Sequence, residues 1–263
     1  MKSFTFLPRV ILGLLLFVTG GGISLATDVT NTVKGTAYTF TVGNNNTVTL
    51  SQIGGTALAN YTGTDIDLAT DYPNGTFTDG TTTYTITSMD AMGGNKTIKT
   101  VEMPSTVTSL PKYCFSGCTA LTTVSFPGIQ TIGNYAFQDC SALTGITIPE
   151  GATVGEGAFM NSGLTGELTI PKGTYDNRAF ENCNKVTALV IYTGSKISNP
   201  WNNYGCFGNM SGVTNVTLKD DGDHTIPAYL FGCASFSTAG VTLTIPESIT
   251  AIGDGAFYHA KFP

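Results

Sequence analysis

One aromatic position recurs along most of the chain, at Phe115, Phe137, Phe159, Phe180, Phe207, Phe231 and Phe257. The successive steps are 22, 22, 21, 27, 24 and 26 residues, and Met92 takes the same place one step earlier. This period constrains the fold more than any composition does. A unit this short cannot bury its own apolar face, so it must stack on its neighbours. The units are alike in detail. One reads Ile132, Gly133, Asn134, Tyr135, Ala136 and Phe137, followed by Cys140, Leu143, Ile146, Ile148 and Pro149. The next reads Val154, Gly155, Glu156, Gly157, Ala158 and Phe159, followed by Leu164, Leu168, Ile170 and Pro171. Apolar residues two apart, such as Val124/Phe126 and Ile146/Ile148, share one face of a short strand. The proline that follows ends the strand, because it cannot donate to a ladder. Stacking then pairs each strand in parallel with the units before and after it.

The run at residues 132–149 (I-G-x-x-A-F-x-x-C-x-x-L-x-x-I-x-I-P) resembles the BspA-like, Treponema-type leucine-rich repeat of bacterial surface proteins. The resemblance covers residues 88–262. It implies a leucine-rich-type solenoid with short parallel strands on the concave side and turns and irregular segments on the convex side. It also implies a secreted or cell-surface protein that binds extracellular protein or glycan ligands, as an adhesin does. Two departures are visible. An insertion at residues 192–206 widens the unit after Phe180, and the strand at residues 189–191 lacks its closing proline. The row also stops at Phe257 with neither a following strand nor a polar cap. Either the array continues beyond Pro263 or another segment covers that end.

Residues 27–87 lie outside the repeat. They carry strand-like alternation at 37–42, 47–50 and 83–87, with Gly43 and three asparagines as a turn. They are read as a β-rich cap on the first coil of the solenoid, which spans residues 88–263 in about seven to eight repeats; a separate small domain is the alternative. Residues 1–26 have the form of a signal peptide: Lys2 and Arg9, an apolar run at 10–18, then Ser24 and Ala26 before the cut. That run is about half the length a membrane span needs, so the mature chain is not expected to insert in a membrane. An uncleaved N-terminal anchor is the alternative.

The chain has a net charge of −6 and only 11% charged residues, which leaves no basic cluster for nucleic acid or anionic lipid. It contains no nucleophile elbow, phosphate loop or zinc-protease motif, and no catalytic residue, metal or cofactor is expected. Cys118, Cys140, Cys183 and, one residue offset, Cys233 share a repeat position with Asn95 and Ser162. They read as an internal column of buried thiols, with a Cys118–Cys140 bridge as the alternative. The stretch at 220–224 (Asp-Asp-Gly-Asp-His) lacks calcium-loop spacing and reads as a solvated turn.

The candidate binding residues are those the repeat does not use. On the outward strand rows these are Thr123, Ser125, Thr147, Glu167, Thr169, Asn215 and Thr217, a surface rich in hydroxyls. In the insertion they are Trp201 and Tyr204, an aromatic pair in a polar loop. The competing readings are a carbohydrate-active enzyme on a parallel β-helix and a structural stalk that displays another domain. Such an enzyme needs neighbouring carboxylates, whereas Glu102 and Glu167 fall three coils apart, about 14 Å at the spacing of strands.

Overall fold

The computed structural model describes residues 11–19, 22–198, 205–236 and 240–262, with side chains from residue 28 onward. Strands β1 (Ile11–Thr19) and β2 (Gly22–Val33) form an antiparallel pair. Strands β3 (Thr36–Val42) and β4 (Thr47–Ile53) extend the same sheet, and β5 (Thr56–Ala57) pairs with β4. Next come β6 (Asp65–Asp67), a single helical turn α1 (Leu68–Asp71), β7 (Thr76–Thr78) and β8 (Thr83–Met89). Phe40, Tyr72 and Phe77 form an aromatic cluster behind this sheet, with ring centroids 4.9–5.8 Å apart. Tyr38 and Tyr72 keep their hydroxyls satisfied by donating to Asp71 (2.6 Å) and Asn31 (3.0 Å).

With one exception, each later coil supplies a strand on one face and a two-residue strand on a second face. The pairs are β9 (Thr100–Glu102) with β10 (Ser109–Leu110), then β11 (Thr123–Ser125) with β12 (Thr131–Ile132). The next coil has only β13 (Thr153–Val154), on the second face. After it come β14 (Thr165–Ile170) with β15 (Thr174–Tyr175), and β16 (Lys185–Tyr192) with β17 (Lys196–Ile197). The last pairs are β18 (Asn215–Lys219) with β19 (Thr225–Ile226), and β20 (Thr242–Thr244) with β21 (Ala251–Ile252). On the first face the parallel order is β6-β9-β11, then β14-β16-β18-β20; on the second it is β10-β12-β13-β15-β17, then β19-β21. The second ladder, of two-residue strands, occupies a side for which the family resemblance implied turns and irregular chain. The insertion is narrower than residues 192–206, because β17 pairs in register with β15. Where proline is missing, β16 runs on to Tyr192.

The ladder also starts earlier than residue 88. β6 pairs with β9 (Asp65↔Thr100, Asp67↔Glu102), and the Thr108 amide donates to the carbonyl of Thr87 in β8. Residues 64–92 thus form a first, widened coil, with α1 and β7 inserted between its two faces.

The third side of each coil is the aromatic corner. Phe115, Phe137, Phe159 and Phe180 are fully buried and stack at 5.2, 5.2 and 5.4 Å with rings within 16° of parallel. Most corners hold two left-handed residues, two before and two after the Phe: Tyr135/Asp139, Gly157/Asn161, Arg178/Asn182 and Tyr229/Cys233 are examples, while at Phe207 only Asn209 is left-handed. This curl turns the amides along the solenoid axis. Tyr135, Phe137 and Asp139 donate to the carbonyls of Glu156, Ala158 and Met160 in the next coil. Left-handed backbone costs a non-glycine residue about 1 kcal/mol or more, and a ladder bond, a buried ring and a stack at each corner offset it.

All six cysteines lie among the described residues and all are thiols, so the Cys118–Cys140 bridge is not formed. Cys118, Cys140 and Cys183 donate to the carbonyls of Met92, Phe115 and Phe159 at 3.4, 3.0 and 3.1 Å. Asn95 does the same job by another route, accepting the Thr97 and Ile98 amides and donating to the Tyr61 carbonyl. Burial raises the Cys118 and Cys183 thiols to about 11, which keeps both protonated at neutral pH.

Candidate functional site

The first strand face carries the residues that the core leaves free. Its register sets Thr123 beside Thr100 and Ser125 beside Glu102 on one block; on the other it sets Glu167, Ala188, Asn215 and Thr242 in one row. Thr169, Val190, Thr217 and Thr244 form the parallel row. Between these outward positions Val101, Leu168, Leu189 and Val216 point into the core. Alternation alone therefore separates fold from face.

The face is interrupted. Residues 144–149 are the equivalent of a strand, yet residues 145–148 neither donate nor accept a backbone hydrogen bond among the described residues. The link to β14 is a single carbonyl, that of Thr144, which accepts from the Thr165 amide and hydroxyl. The cause is local. From core leucine to closing proline, the coil of β14 is one residue longer (Leu164 to Pro171) than its predecessor (Leu143 to Pro149). The extra length is taken up at Gly166, in the left-handed region at φ +69°, where the ladder to β16 also slips. Gly145, directly opposite, has open space where a side chain would pack, and glycine weakens a strand interior.

Two clefts flank the unpaired segment. On the β11 side a volume of about 370 Å³ has Leu110, Phe126, Ile132 and Phe137 at its base and the exposed Ser125 and Thr147 at its rim. On the β14 side a volume of about 300 Å³ is lined by Thr144, Thr147, Thr165, Glu167 and Thr169 together with the apolar Ile148, Leu164, Leu168 and Pro171. Ile146 and Thr147 form the ridge common to both. Of the expected residues, Ser125, Thr147, Glu167 and Thr169 are thus brought together around one break, and Thr123 lies beside it on β11. Asn215 and Thr217 sit two rungs from β14, beyond β16. Trp201 and Tyr204 lie outside the described residues.

β6 adds carboxylates that the repeat pattern did not reveal. Asp67 is in register with Glu102, and Asp65 with Thr100. The alternation in Thr64, Asp65, Ile66 and Asp67 matches that of Thr100, Val101 and Glu102, but no aromatic corner follows at the usual distance to mark it. A hydrolytic pair needs one carboxyl kept protonated. Here hydrogen bonds from the Thr100 and Thr64 hydroxyls hold the Asp65 carboxyl below its ordinary range, and Asp67 is engaged in capping the Thr70 amide. The hydrogen bonds at Asp65 favour its ionised form.

The acidic turn is more ordered than a solvated one. Asp220, its side chain only 8% exposed, accepts from the amides of Gly222 and His224 (3.0 and 3.1 Å) and faces His224 Nδ1 at 2.5 Å. This turn is two residues longer than those after β14 and β16, and β17 and β19 stay unpaired across it. Among the described residues there is no cluster of His, Cys, Asp and Glu that could hold a metal, and no helix long and apolar enough to cross a membrane.

The family model for the BspA-type leucine-rich repeat region matches in six copies, over residues 69–187 and 176–262. No curated protein matches by sequence. Among solved structures, the chain resembles a leucine-rich repeat protein of T. pallidum with TM-score 0.54 at 17% identity, covering 81% of this chain and 89% of that one. It also resembles a leucine-rich cell surface protein from Faecalibacterium prausnitzii with TM-score 0.50 at 18% identity, covering 92% and 73%.

Proposed function

Since this chain belongs to the BspA-type leucine-rich repeat family, we propose that it is an exported, non-catalytic binding protein whose first strand face holds an extracellular protein or glycan. The observation that carries this reading is the outward row itself. Thr123, Ser125, Thr147, Glu167 and Thr169 are exposed and spare from the core, on either side of the break and on its ridge. Asn215 and Thr217 continue the row on β18. A relative of the same fold is described as a cell surface protein, and export through cleavage after Ala26 fits residues 1–26. Cleavage there removes β1 and leaves residues 28–33 of β2 paired with β3. The Trp201 and Tyr204 loop is proposed as an accessory contact.

Many shallow contacts along a repetitive face add up through multivalency at a surface. The test is binding of the purified chain to a panel of matrix proteins and host glycans, with Thr169→Arg, Thr217→Arg and Trp201→Ala compared. Placing an arginine on the face is expected to lower affinity about tenfold or more for at least one ligand. Equal affinity in both arginine variants contradicts the face as the site. Product release from a polysaccharide substrate contradicts the non-catalytic reading.

A further inference from the structure

We propose that the break between β11 and β14 is a docking site for an extended polypeptide segment. This segment seats an apolar side chain in the β11-side cleft and a lysine or arginine, two residues along, against Glu167 in the β14-side cleft. The inference rests on the reading of the strand face as a binding surface and names its partner.

Three observations select this occupant. The β11-side cleft is unlike the rest of the face, because beneath its mouth it is lined by solenoid-core side chains, among them Leu110, Ile132 and Phe137, each at most 2% exposed. At about 370 Å³ it has the size and apolar lining of a side-chain or small-ligand pocket. A saccharide reaching past the Ser125 and Thr147 rim would set its inner hydroxyls against the hydrocarbon of Leu110, Ile132 and Phe137, where no polar side chain lines the cleft, which is costly.

The second observation is charge. The Glu167 side chain is exposed and has neither an ion pair nor a hydrogen bond among the described residues. It shares the cleft with Thr144, Thr147, Thr165 and Thr169, with the unbonded backbone of residues 145–148, and with apolar residues such as Ile148, Leu164 and Pro171. Carboxylate, hydroxyl and carbonyl oxygens together suit the donors of an ammonium or guanidinium group. The same carboxylate repels an anionic lipid headgroup or a phosphate.

The third is spacing. The coils here stack at 5.2 Å, as the Phe115, Phe137 and Phe159 rings show, so the two clefts on either side of one segment lie about one coil apart. Side chains at i and i+2 of an extended chain leave the same face about 6.6 Å apart, and a modest tilt brings them over both clefts. The peptide then crosses the Ile146–Thr147 ridge.

The probes are fluorescein-labelled, threonine-rich eight-residue peptides with phenylalanine and lysine two residues apart. Versions with lysine replaced by glutamate, or phenylalanine by alanine, serve for comparison, and fluorescence anisotropy on the full chain is the readout. The lysine peptide is expected to bind at least about tenfold more tightly than either replacement. Glu167→Lys is expected to invert the lysine-over-glutamate preference. Thr147→Trp, at an exposed ridge position, is expected to weaken the lysine peptide by a similar factor while leaving the circular dichroism spectrum unchanged. Equal binding of the lysine and glutamate peptides overturns the proposal, as does Thr147→Trp binding like the parent, or no binding of any peptide. Thr217→Arg separates this from the broader reading: a matrix ligand lost in Thr217→Arg but kept in Thr147→Trp contradicts the cleft and leaves the face intact.

Discussion

At the corner of each coil, residue chemistry is set by backbone before it is set by packing. Tyr135, Arg178 and Tyr229 occupy left-handed backbone two residues before the buried Phe, and glycine occupies it at Gly157 and Gly255. The two choices are coupled across coils. The Tyr135 ring lies over Gly157, and its hydroxyl donates to Glu156 at 2.5 Å. Tyr113 stacks on its other side at 5.4 Å, with the Lys112 ammonium 4.7 Å from the Tyr113 ring. A side chain at Gly157 would meet left-handed strain at φ +57° and overlap the Tyr135 ring. Gly157→Ala is therefore expected to destabilise the chain by about 1–3 kcal/mol, read from the midpoint of denaturant unfolding. No change would mean that the ring moves aside freely and that the corner is less fixed than its stacking implies. Column hydrogen bonds act at the same scale, Asn161 donating to Asp139 at 2.7 Å and Asn182 to Asn161 at 2.8 Å.

At the scale of elements, coil length decides where ladders hold and where they part. One extra residue at Gly166 parts the first face, and the longer acidic turn parts the second. That turn is organised by Asp220, whose carboxyl is held well below its ordinary value, first by the Ser248 hydroxyl and then by the Gly222 amide and His224. A carboxylate with a depressed folded-state pKa stabilises fully above its unfolded value, and the contribution fades as pH falls through the folded value. Asp220→Asn is thus expected to lower the thermal midpoint at neutral pH, with the gap to the parent narrowing below about pH 4. A gap that stays constant into the acid range would assign the loss to something other than this carboxylate.

Much of this element layout was legible in the residues and some was not. The Phe115 to Phe257 series and the Ile146/Ile148 type pairs repeat with a period that only stacking explains, so the solenoid and its core positions follow from spacing. The outward rows follow from alternation. The left-handed corners were only half visible: Asp139, Asn161 and Asn182 favour that region, whereas Tyr135, Arg178, Tyr229 and Cys233 carry no turn signature of their own. β6 was hidden because α1 and β7 intervene before its corner at Met92. The break was hidden because it depends on a one-residue difference between two coils, which changes pairing without changing the hydrophobic pattern.

Across the whole molecule, three ladders share the work unequally. The aromatic corner and the second face run unbroken through the coil of residues 137–154, while the first-face ladder parts there and leaves a cleft on either side of the unpaired segment. A solenoid whose stability is shared between neighbouring units tolerates such a gap, because each coil is still held on its other two sides. The gap is what turns a uniform, hydroxyl-rich surface into one with a particular place on it, and the account rests on it. Amide hydrogen exchange with mass spectrometry measures it directly. The amides of residues 145–148 are expected to exchange at close to the rate of an unfolded chain, while those of β16 and β18 on the same face remain protected. Protection of residues 145–148 equal to that of β16 would show a continuous face and contradict the site.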